Sequence, residues 1–477
     1  MPYSSDKINI LIKYLWIALG ICVPLSVKVY FPTVGLEMIF PAEPLIGLLF
    51  LIYIAHILKK GSRAYRQQFR WKDPLILLSS CWLLIYLIST IFSSMTLVSL
   101  KSFIVQVVYI SVLVFMPLSL GPTGRSLTAL AMGWHDRIFL VVILFTLTAQ
   151  SVLGFDRVGA NFSSFPFYMD HTIFGAALTF VLFRTLTRTW TEFQQGRSLS
   201  RRAALLLVLF SVFITLILVH GRAAWLAVII TLLLSISFRF GLTLRTSLIG
   251  AGAACLLIFL FKVPLHRILR NNQVASQAHD TGLRETALSI WNITTDASNR
   301  ERLIRWKSAW RMFVDRPLVG KGPGTYQFLH LEGLTPAENK ELKNPRLITD
   351  DEMIPAWKAG DLLLVRNNAE RSPSNGGTAH SEYLLALSEH GILGGLWWMA
   401  AGLMILYKSS ILLGKVRSQL LWEGRYFAAL ALTGYLVHAA VNNFLDDVKV
   451  GMLFWIALGW LLHQPTQRTS PGPIPRQ

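Results

Sequence analysis

Long apolar runs recur along this chain and limit its possible folds more than any other feature. A membrane-spanning helix needs about 20 mostly apolar residues, and it bonds its backbone polar groups within the segment. Only 15% of the residues are charged, whereas soluble domains carry about 25%. We therefore predict an all-α polytopic membrane protein. The twelve predicted spans are 8–30, 41–58, 74–93, 97–119, 128–154, 171–187, 204–220, 222–240, 246–265, 381–407, 427–444 and 451–465.

Lysine and arginine in the short loops predict the orientation of these spans. The loops 59–73, 184–203 and 408–426 contain six, five and four basic residues, whereas 92–98 contains none. Since basic loops stay in the cytoplasm, both termini are expected there and the long hydrophilic stretch 266–380 outside. These loops account for much of the net charge of +19, so we do not expect nucleic acid as a partner.

The predicted topology divides the chain into five parts. All three cysteines lie inside apolar runs, so they indicate neither a disulfide framework nor a metal site. We predict no cofactor. The five parts are spans 1–5 (1–155), spans 6–9 (156–265), an exterior loop domain between spans 9 and 10 (266–380), spans 10–12 (381–465) and a disordered cytoplasmic tail (466–477).

Within the exterior loop, residues 297–326 predict an amphipathic helix followed by a glycine-rich turn. Ser298 and Glu301 have the spacing of a capping box, and Pro317 predicts the end of the helix. A tryptophan-rich stripe beside a basic face is typical of a helix at the membrane surface, near lipid headgroups or a phosphorylated substrate. Lipid anchoring alone is the simpler alternative. The stripe consists of Leu303, Trp306, Trp310 and Phe313.

Arg222 and His380 are ionisable residues at the outer ends of predicted spans. Histidine can accept a proton near neutral pH, and arginine bonds phosphate oxygens through a planar fork. Helical spacing would place His380 on one face with Gly391 and Gly394, where another helix can approach closely. The structural alternatives are an arginine that extends its charged end to the interface and a histidine that is bonded to solvent at a helix end.

Two acidic stretches also fall at outer ends of spans. Asp170 with His171, and Asp446 with Asp447, are candidate sites or helix-capping positions. The turn "GKGPGTY" contains Lys321, but a lone glycine-rich turn is weak evidence of phosphate binding. Because the sequence has no Walker loop, Ser-His-Asp signature or clear carboxylate cluster, nothing in it requires ATP, and a transferase would need an activated donor.

Three separated stretches together resemble the O-antigen ligase/polymerase superfamily of bacterial membrane glycosyltransferases. The resemblance extends from about residue 155 to 460, and spans 1–5 match only in hydropathy. The chain departs from the usual serine-containing lead before Arg222, where it has His220-Gly221. The three stretches are His380-Ser381 followed by Gly391 and Gly394-Gly395, "HGRAAWLAV" around Arg222, and "RERLIRWKSAWRMFVDRPLVGKGPGTYQF" with Arg302 and Trp306.

The resemblance implies a GT-C-like, metal-independent transferase in the bacterial inner membrane, with its active site facing the periplasm. Its donor would be a glycan on undecaprenyl pyrophosphate. His380 would activate an acceptor hydroxyl, and Arg222 and Arg302 would hold the pyrophosphate as it leaves. Further candidates for substrate binding are Arg305, Trp306, Lys321, Tyr326, Asp170, His171 and Asp447.

The acceptor stays open at this point. A ligase transfers the glycan to lipid A-core, and the glycine pair after His380 favours this alternative. An O-antigen or exopolysaccharide polymerase transfers it to another lipid-linked repeat, and an O-oligosaccharyltransferase transfers it to protein. A transporter or flippase is the alternative from another class, but it predicts internal repeats and broken helices at the membrane midplane. The sequence has no repeat, and its polar groups gather at the outer ends.

Overall fold

A computed structural model describes most of the predicted membrane region and part of the exterior loop. It covers residues 3–31, 36–60, 74–153, 155, 157–196, 198–247, 249–250, 297–332, 334–335, 338, 378–414 and 423–462. Its elements are α1 (Tyr3–Leu25), β1 (Val27–Phe31), β2 (Leu36–Phe40), α2 (Ala42–Lys60), α3 (Pro74–Ile91), α4 (Thr96–Ile110), a π-helical turn (Ser111–Phe115), α5 (Met116–Ser119), α6 (Pro122–Leu153), α7 (Arg157–Phe162), α8 (His171–Gln194), α9 (Leu199–Leu218), α10 (Arg222–Arg239), α11 (Ala297–Asp315), α12 (Tyr326–Leu329), α13 (Glu382–Gly414), α14 (Glu423–His438) and α15 (Val448–Leu462).

The described part of the chain is mostly helical. Eight helical stretches of this part are long and apolar enough to cross a membrane. They are α1, α2, α3, α4 (together with the π-helical turn and α5), α6, α9, α10 and α13. Helices α8, α14 and α15 occupy the positions of predicted spans 6, 11 and 12. Most of predicted span 9 and most of the predicted exterior domain lie outside the described residues. A polytopic helical membrane protein is therefore confirmed, and the count of twelve spans stays a prediction.

A β-hairpin follows the first helix. Strands β1 and β2 pair antiparallel, with Val27 opposite Phe40. The prediction that span 1 continues to residue 30 is therefore wrong, since α1 ends at Leu25 and the β-favouring run "VKVYF" pairs with a second strand. The Ala42 backbone N–H donates to Ser26 Oγ at 3.2 Å and so ties the two ends of the hairpin.

Helix α15 lies at the centre of the packed helices. All of its residues except Gly459 are buried. A helix that is apolar all around is typical of a protein core, and with 15 residues α15 is shorter than an ordinary span. Trp455 at 0% exposure and Phe454 at 0% belong to the large cluster that also includes Phe180 of α8.

A buried ion pair joins α6 to α8. Arg184 Nε lies 2.5 Å from Asp136 Oδ2, and Arg188 Nη1 lies 3.4 Å from the same oxygen. The Arg184 guanidinium also lies over the Trp460 ring at 5.2 Å. Pairing and ring contact offset the cost of burying these charges, and they fix the helix that begins at His171.

Helix α13 breaks at Gly391, whose φ of 64° and ψ of −154° favour glycine. At the break, backbone N–H and carbonyl groups of residues 388–392 lack partners within the helix. Backbone groups of the exterior segment 317–322 form hydrogen bonds with them instead. A sharp break at this depth is therefore compatible with a hydrogen-bonded backbone. The bonds are Lys321 N to Ser388 O at 2.9 Å, Gly322 N to Glu389 O at 3.0 Å and Ile392 N to Pro317 O at 2.7 Å.

The predicted helical face that joins His380 to the glycines is wrong. His380 has a φ of 49° and precedes α13, which begins at Glu382. The break at Gly391 then removes any continuous helical phase. His390, next to the break, is 2% exposed, and its ring centroid lies 4.3 Å from that of Tyr86. This histidine packs in the helix core.

The glycine-rich turn fills a narrow gap between α13 and the start of α4. Gly320, Gly322 and Gly324 all have positive φ values, at 70°, 113° and 72°. A Cβ on Gly320 would lie 2.3 Å from the carbonyl carbon of Glu389, and one on Gly322 would lie 2.1 Å from Ser93 Oγ. Only glycine permits this close approach, so the turn docks the exterior segment on the membrane helices.

Helix α11 ends at Asp315, as Pro317 predicts. It buries the face that carries Ala309 at 0% and Met312 at 4% exposure, and this face packs against Tyr326 and Ala379. On the predicted tryptophan stripe, Leu303 is 40% and Trp310 is 52% exposed. Leu303 and Trp310 therefore remain available to a lipid surface, whereas Trp306 is half-buried against the His380 segment. Contact of the stripe with the membrane stays a prediction.

Candidate functional site

Several helix ends enclose a cavity of about 200 Å³. They come from parts of the sequence that are far apart, so only the fold brings them together. The lining consists of Asn161 of α7, His171 and Thr172 of α8, residues 220–224 around the start of α10, Arg302 of α11 and His438 of α14. The predicted residues Arg222, Arg302 and His171 therefore share one cavity.

The cavity has the features of an anion site. Helices α8 and α10 both begin at it, and the N-terminus of a helix carries a partial positive charge and unsatisfied backbone N–H groups. Arg222 and Arg302 both line the cavity and bring two positively charged side chains to it. Guanidinium binds phosphate or carboxylate oxygens with paired, charge-assisted hydrogen bonds. The arrangement fits a phosphate group with more than one negative oxygen.

Asp170 caps the helix that begins at His171. Its Oδ1 accepts a hydrogen bond from the Thr172 N–H at 2.7 Å, and His171 Nδ1 lies 3.1 Å from the same oxygen. This is the N-terminal capping position that the sequence offered for Asp170. The carboxylate orients the first turn of α8, while His171 itself lines the cavity.

A sharp turn between α9 and α10 places Arg222. His220 has a φ of 54°, and the Arg222 N–H donates to the His220 carbonyl at 3.1 Å. Trp225 Nε1 donates to the Leu216 carbonyl at 2.8 Å and so ties α10 back to α9. His220 is 3% exposed and lines the cavity. Sequence reasoning missed it as a site residue, although its place two residues before Arg222 was a signal.

His438 is the second lining residue that sequence reasoning missed. It is the last residue of α14 and is 2% exposed. Its ring lies 5.4 Å from the Phe444 ring, between centroids. The available signal was an ionisable residue near the outer end of a predicted span, which is a functional hypothesis by default.

His380 is half-buried and is held by α11. Trp306 Nε1 donates to the His380 carbonyl at 3.1 Å, and Arg305 Nη1 donates to the Thr378 carbonyl at 3.2 Å. The pKa of His380 is lowered to about 4, mainly by burial and next by the positive charge of Arg305. Arg302 also lowers it, whereas Glu301 and Asp170 raise it. His380 is not among the residues that line the cavity, but it lies within reach of the charge of Arg302.

Arg305 and Tyr326 support this arrangement. Arg305 donates to Glu301 Oε1 from Nε at 2.9 Å and from Nη2 at 2.7 Å. Burial alone would raise the pKa of the Glu301 carboxyl, but Arg305 holds it below its ordinary value. The Tyr326 hydroxyl donates to the Arg305 carbonyl at 3.0 Å. Arg305, Trp306 and Tyr326 therefore position the segment of His380 and do not line the cavity.

Lys321 and Asp447 make other contacts. Lys321 Nζ lies 3.1 Å from Asp315 Oδ2, and Asp447 Oδ1 accepts from the Lys449 N–H at 2.8 Å at the start of α15. Burial raises the pKa of Asp447 despite the charge of Lys449. Neither residue lines the cavity. Among the residues that the structure describes, no group of three or more His, Cys, Asp or Glu could hold a metal ion.

Comparison with known proteins matches a region that supplies part of the cavity lining. A family model described as O-antigen ligase matches residues 204–349. The matched region is less than a third of the chain, but it contains Arg222 and Arg302. No curated protein matches the chain. Residues 204–349 are therefore similar to the O-antigen ligase family, in agreement with the resemblance found in the sequence.

Proposed function

We propose that this protein is a glycosyltransferase of the bacterial inner membrane, with its active site facing the periplasm. It would move a glycan from undecaprenyl pyrophosphate to lipid A-core, as an O-antigen ligase does. The observation that carries the proposal is the convergence of Arg222 and Arg302 on a cavity where two long helices begin. Such a site suits the pyrophosphate that remains when the glycan leaves.

The chemistry requires a base and a place for the leaving charge. His380 takes the proton from the acceptor hydroxyl, whose oxygen attacks the anomeric carbon of the donor sugar. The bond between that carbon and the pyrophosphate oxygen breaks, and undecaprenyl pyrophosphate leaves with the bonding electrons. Arg222 and Arg302 stabilise the developing negative charge, as preorganised donors do in a site of low dielectric.

At neutral pH His380 is in the neutral form that a base requires. With a pKa of about 4, the imidazole is neutral at neutral pH and can accept a proton. The bonds from α11 to 378–380 fix the backbone on which the ring is carried. A fixed base avoids part of the cost of orienting two reactants.

Complementation of a deletion strain tests the three roles. We expect His380→Ala, Arg222→Ala and Arg302→Ala to leave the lipid-linked glycan accumulating without transfer. Arg239→Ala is the matched control, because Arg239 lies at the other end of the helix that begins with Arg222. Full glycan display with His380→Ala would contradict its role as the base, and full display with both arginine variants would contradict the anion site.

Purified protein tests the reaction itself. We expect transfer from the lipid-linked donor in detergent without ATP or divalent cations. Lipid A-core, a second lipid-linked repeat and a protein acceptor are each offered alone, so the product names a ligase, a polymerase or an O-oligosaccharyltransferase. A flippase would move the donor between leaflets of a vesicle without forming a glycosidic bond, and that result would overturn the proposal.

A further inference from the structure

His438 has no role in the reaction described so far, yet it lines the cavity with Arg222 and Arg302. We propose that the Nε2–H of His438 donates a hydrogen bond to a phosphate oxygen of the donor pyrophosphate. This inference rests on the proposed function and adds a neutral substrate-binding residue to its anion site.

The surroundings of the imidazole favour one tautomer. Asn442 Nδ2 lies 3.5 Å from His438 Nδ1. An amide nitrogen can only donate, so this contact favours Nδ1 as the acceptor and the ring proton on Nε2. The ring contact with Phe444 holds the imidazole plane. The Nε2–H edge is then left for the cavity.

The end of α14 is also prepared for a nearby anion. A helix C-terminus is normally unfavourable for negative charge, because its last carbonyl groups are unsatisfied. Here the His438 carbonyl accepts from the Val441 and Asn442 N–H groups at 3.1 Å each, and the Ala439 carbonyl accepts from the Glu382 N–H at 2.9 Å. With these carbonyl groups bonded, a phosphate oxygen can approach the His438 ring from the cavity.

A neutral donor adds something that a third arginine would not. Two guanidinium groups already match the charge of a pyrophosphate diester. A further cation would bind the product pyrophosphate more tightly and slow its release, whereas an imidazole N–H bonds an oxygen and adds no net charge. His438 therefore improves binding without making the cavity more positive.

Binding of inorganic pyrophosphate to the purified full-length protein, measured by calorimetry, tests this role. We expect His438→Asn to weaken binding by about tenfold to a hundredfold, the range for a hydrogen bond to a charged group. His438→Gln should recover much of the loss, because its amide N–H reaches the place of Nε2. The matched control is His390→Asn, which replaces another buried histidine and should leave the affinity unchanged.

The outcomes separate the inference from the proposed function. If wild type binds pyrophosphate, Arg222→Ala does not, and His438→Asn binds like wild type, the role of His438 is overturned and the anion site stands. If wild type binds no pyrophosphate, both are overturned. Should His438→Asn fail to fold, Asn442→Leu removes the group that fixes the tautomer. It should then weaken binding, and unchanged affinity would overturn the inference.

Discussion

Replacing Gly391 by alanine should destabilise the protein through the break in α13. The glycine conformation, with φ of 64° and ψ of −154°, costs a residue with a side chain about 1–3 kcal/mol. The new Cβ would also lie 2.5 Å from the carbonyl carbon and oxygen of Leu318 and 2.6 Å from Val319 N. These are backbone atoms that cannot rotate away, so overpacking adds about 1–3 kcal/mol. We expect a total loss of about 2–6 kcal/mol.

Gly402→Ala is the matched control, because Gly402 lies in the same helix and a Cβ there would meet Leu436 Cδ2 at an ordinary 3.6 Å. Unfolding of the two variants and wild type is followed in detergent by tryptophan fluorescence during heating. We expect Gly391→Ala to unfold at a clearly lower temperature and Gly402→Ala to unfold near wild type. Equal unfolding temperatures for the two variants would refute the argument from the docked backbone.

Three further predictions concern the exterior segment. The pKa of His380 is about 4 in the folded protein and about 6.5 in the unfolded chain. As the pH falls, the unfolded chain therefore binds the proton before the folded protein does, and wild type loses stability between about pH 6.5 and about pH 4. His380→Asn should show a smaller fall in unfolding temperature over that window, and an equal fall would contradict this. Arg305→Lys should keep the pyrophosphate affinity but lower kcat. The reason is that an ammonium group cannot hydrogen-bond to Glu301 and to the Thr378 carbonyl at the same time, as the planar guanidinium does. An unchanged kcat would contradict a positioning role. Lys321→Ala should change stability by only about 0–1 kcal/mol by thermal unfolding and leave pyrophosphate affinity unchanged, since its side chain pairs with Asp315, whereas a large loss of affinity would make Lys321 a ligand.

Local signals predicted those parts of the fold that depend on local chemistry. Apolar runs located the helices, because crossing a membrane imposes length and hydropathy on each span by itself. Pro317 located the end of α11 for a similarly local reason. Asp170 was a capping candidate, and its bond to the Thr172 N–H lies within two residues of it.

Features that depend on a distant partner were not predictable in this way. The break at Gly391 is stable because backbone groups about 70 residues earlier in the chain bond it, and no periodicity in α13 reveals that partner. The sequence therefore suggested an unbroken helical face for His380. The hairpin after α1 was missed for a related reason, since an apolar run at a span end fits helix and strand equally well until its pairing partner is known.

The candidate site shows the same limit. Arg222 could be singled out from its position at the outer end of a span, and Arg302 from the resemblance of its stretch to the superfamily. The two arginines share a cavity because of the turn at His220 and the docking of α11. Both are tertiary features that a local stretch of sequence does not reveal. His438 lacked any local motif beyond its position near the outer end of a span, and the cavity shows that it faces the same space as the two arginines.

The positive charge that suits pyrophosphate also weakens the base. Arg305 and Arg302 are among the causes that hold the pKa of His380 at about 4, which is low for a general base at neutral pH. A bound pyrophosphate would offset part of that charge, so we expect the pKa of His380 to rise toward 6.5 only when the donor is present. The pH profile of kcat/KM for the donor reports the free enzyme, and that of kcat reports the complex. The acid limb of kcat should therefore lie at the higher pH, and coincident limbs would show that the donor does not tune the base.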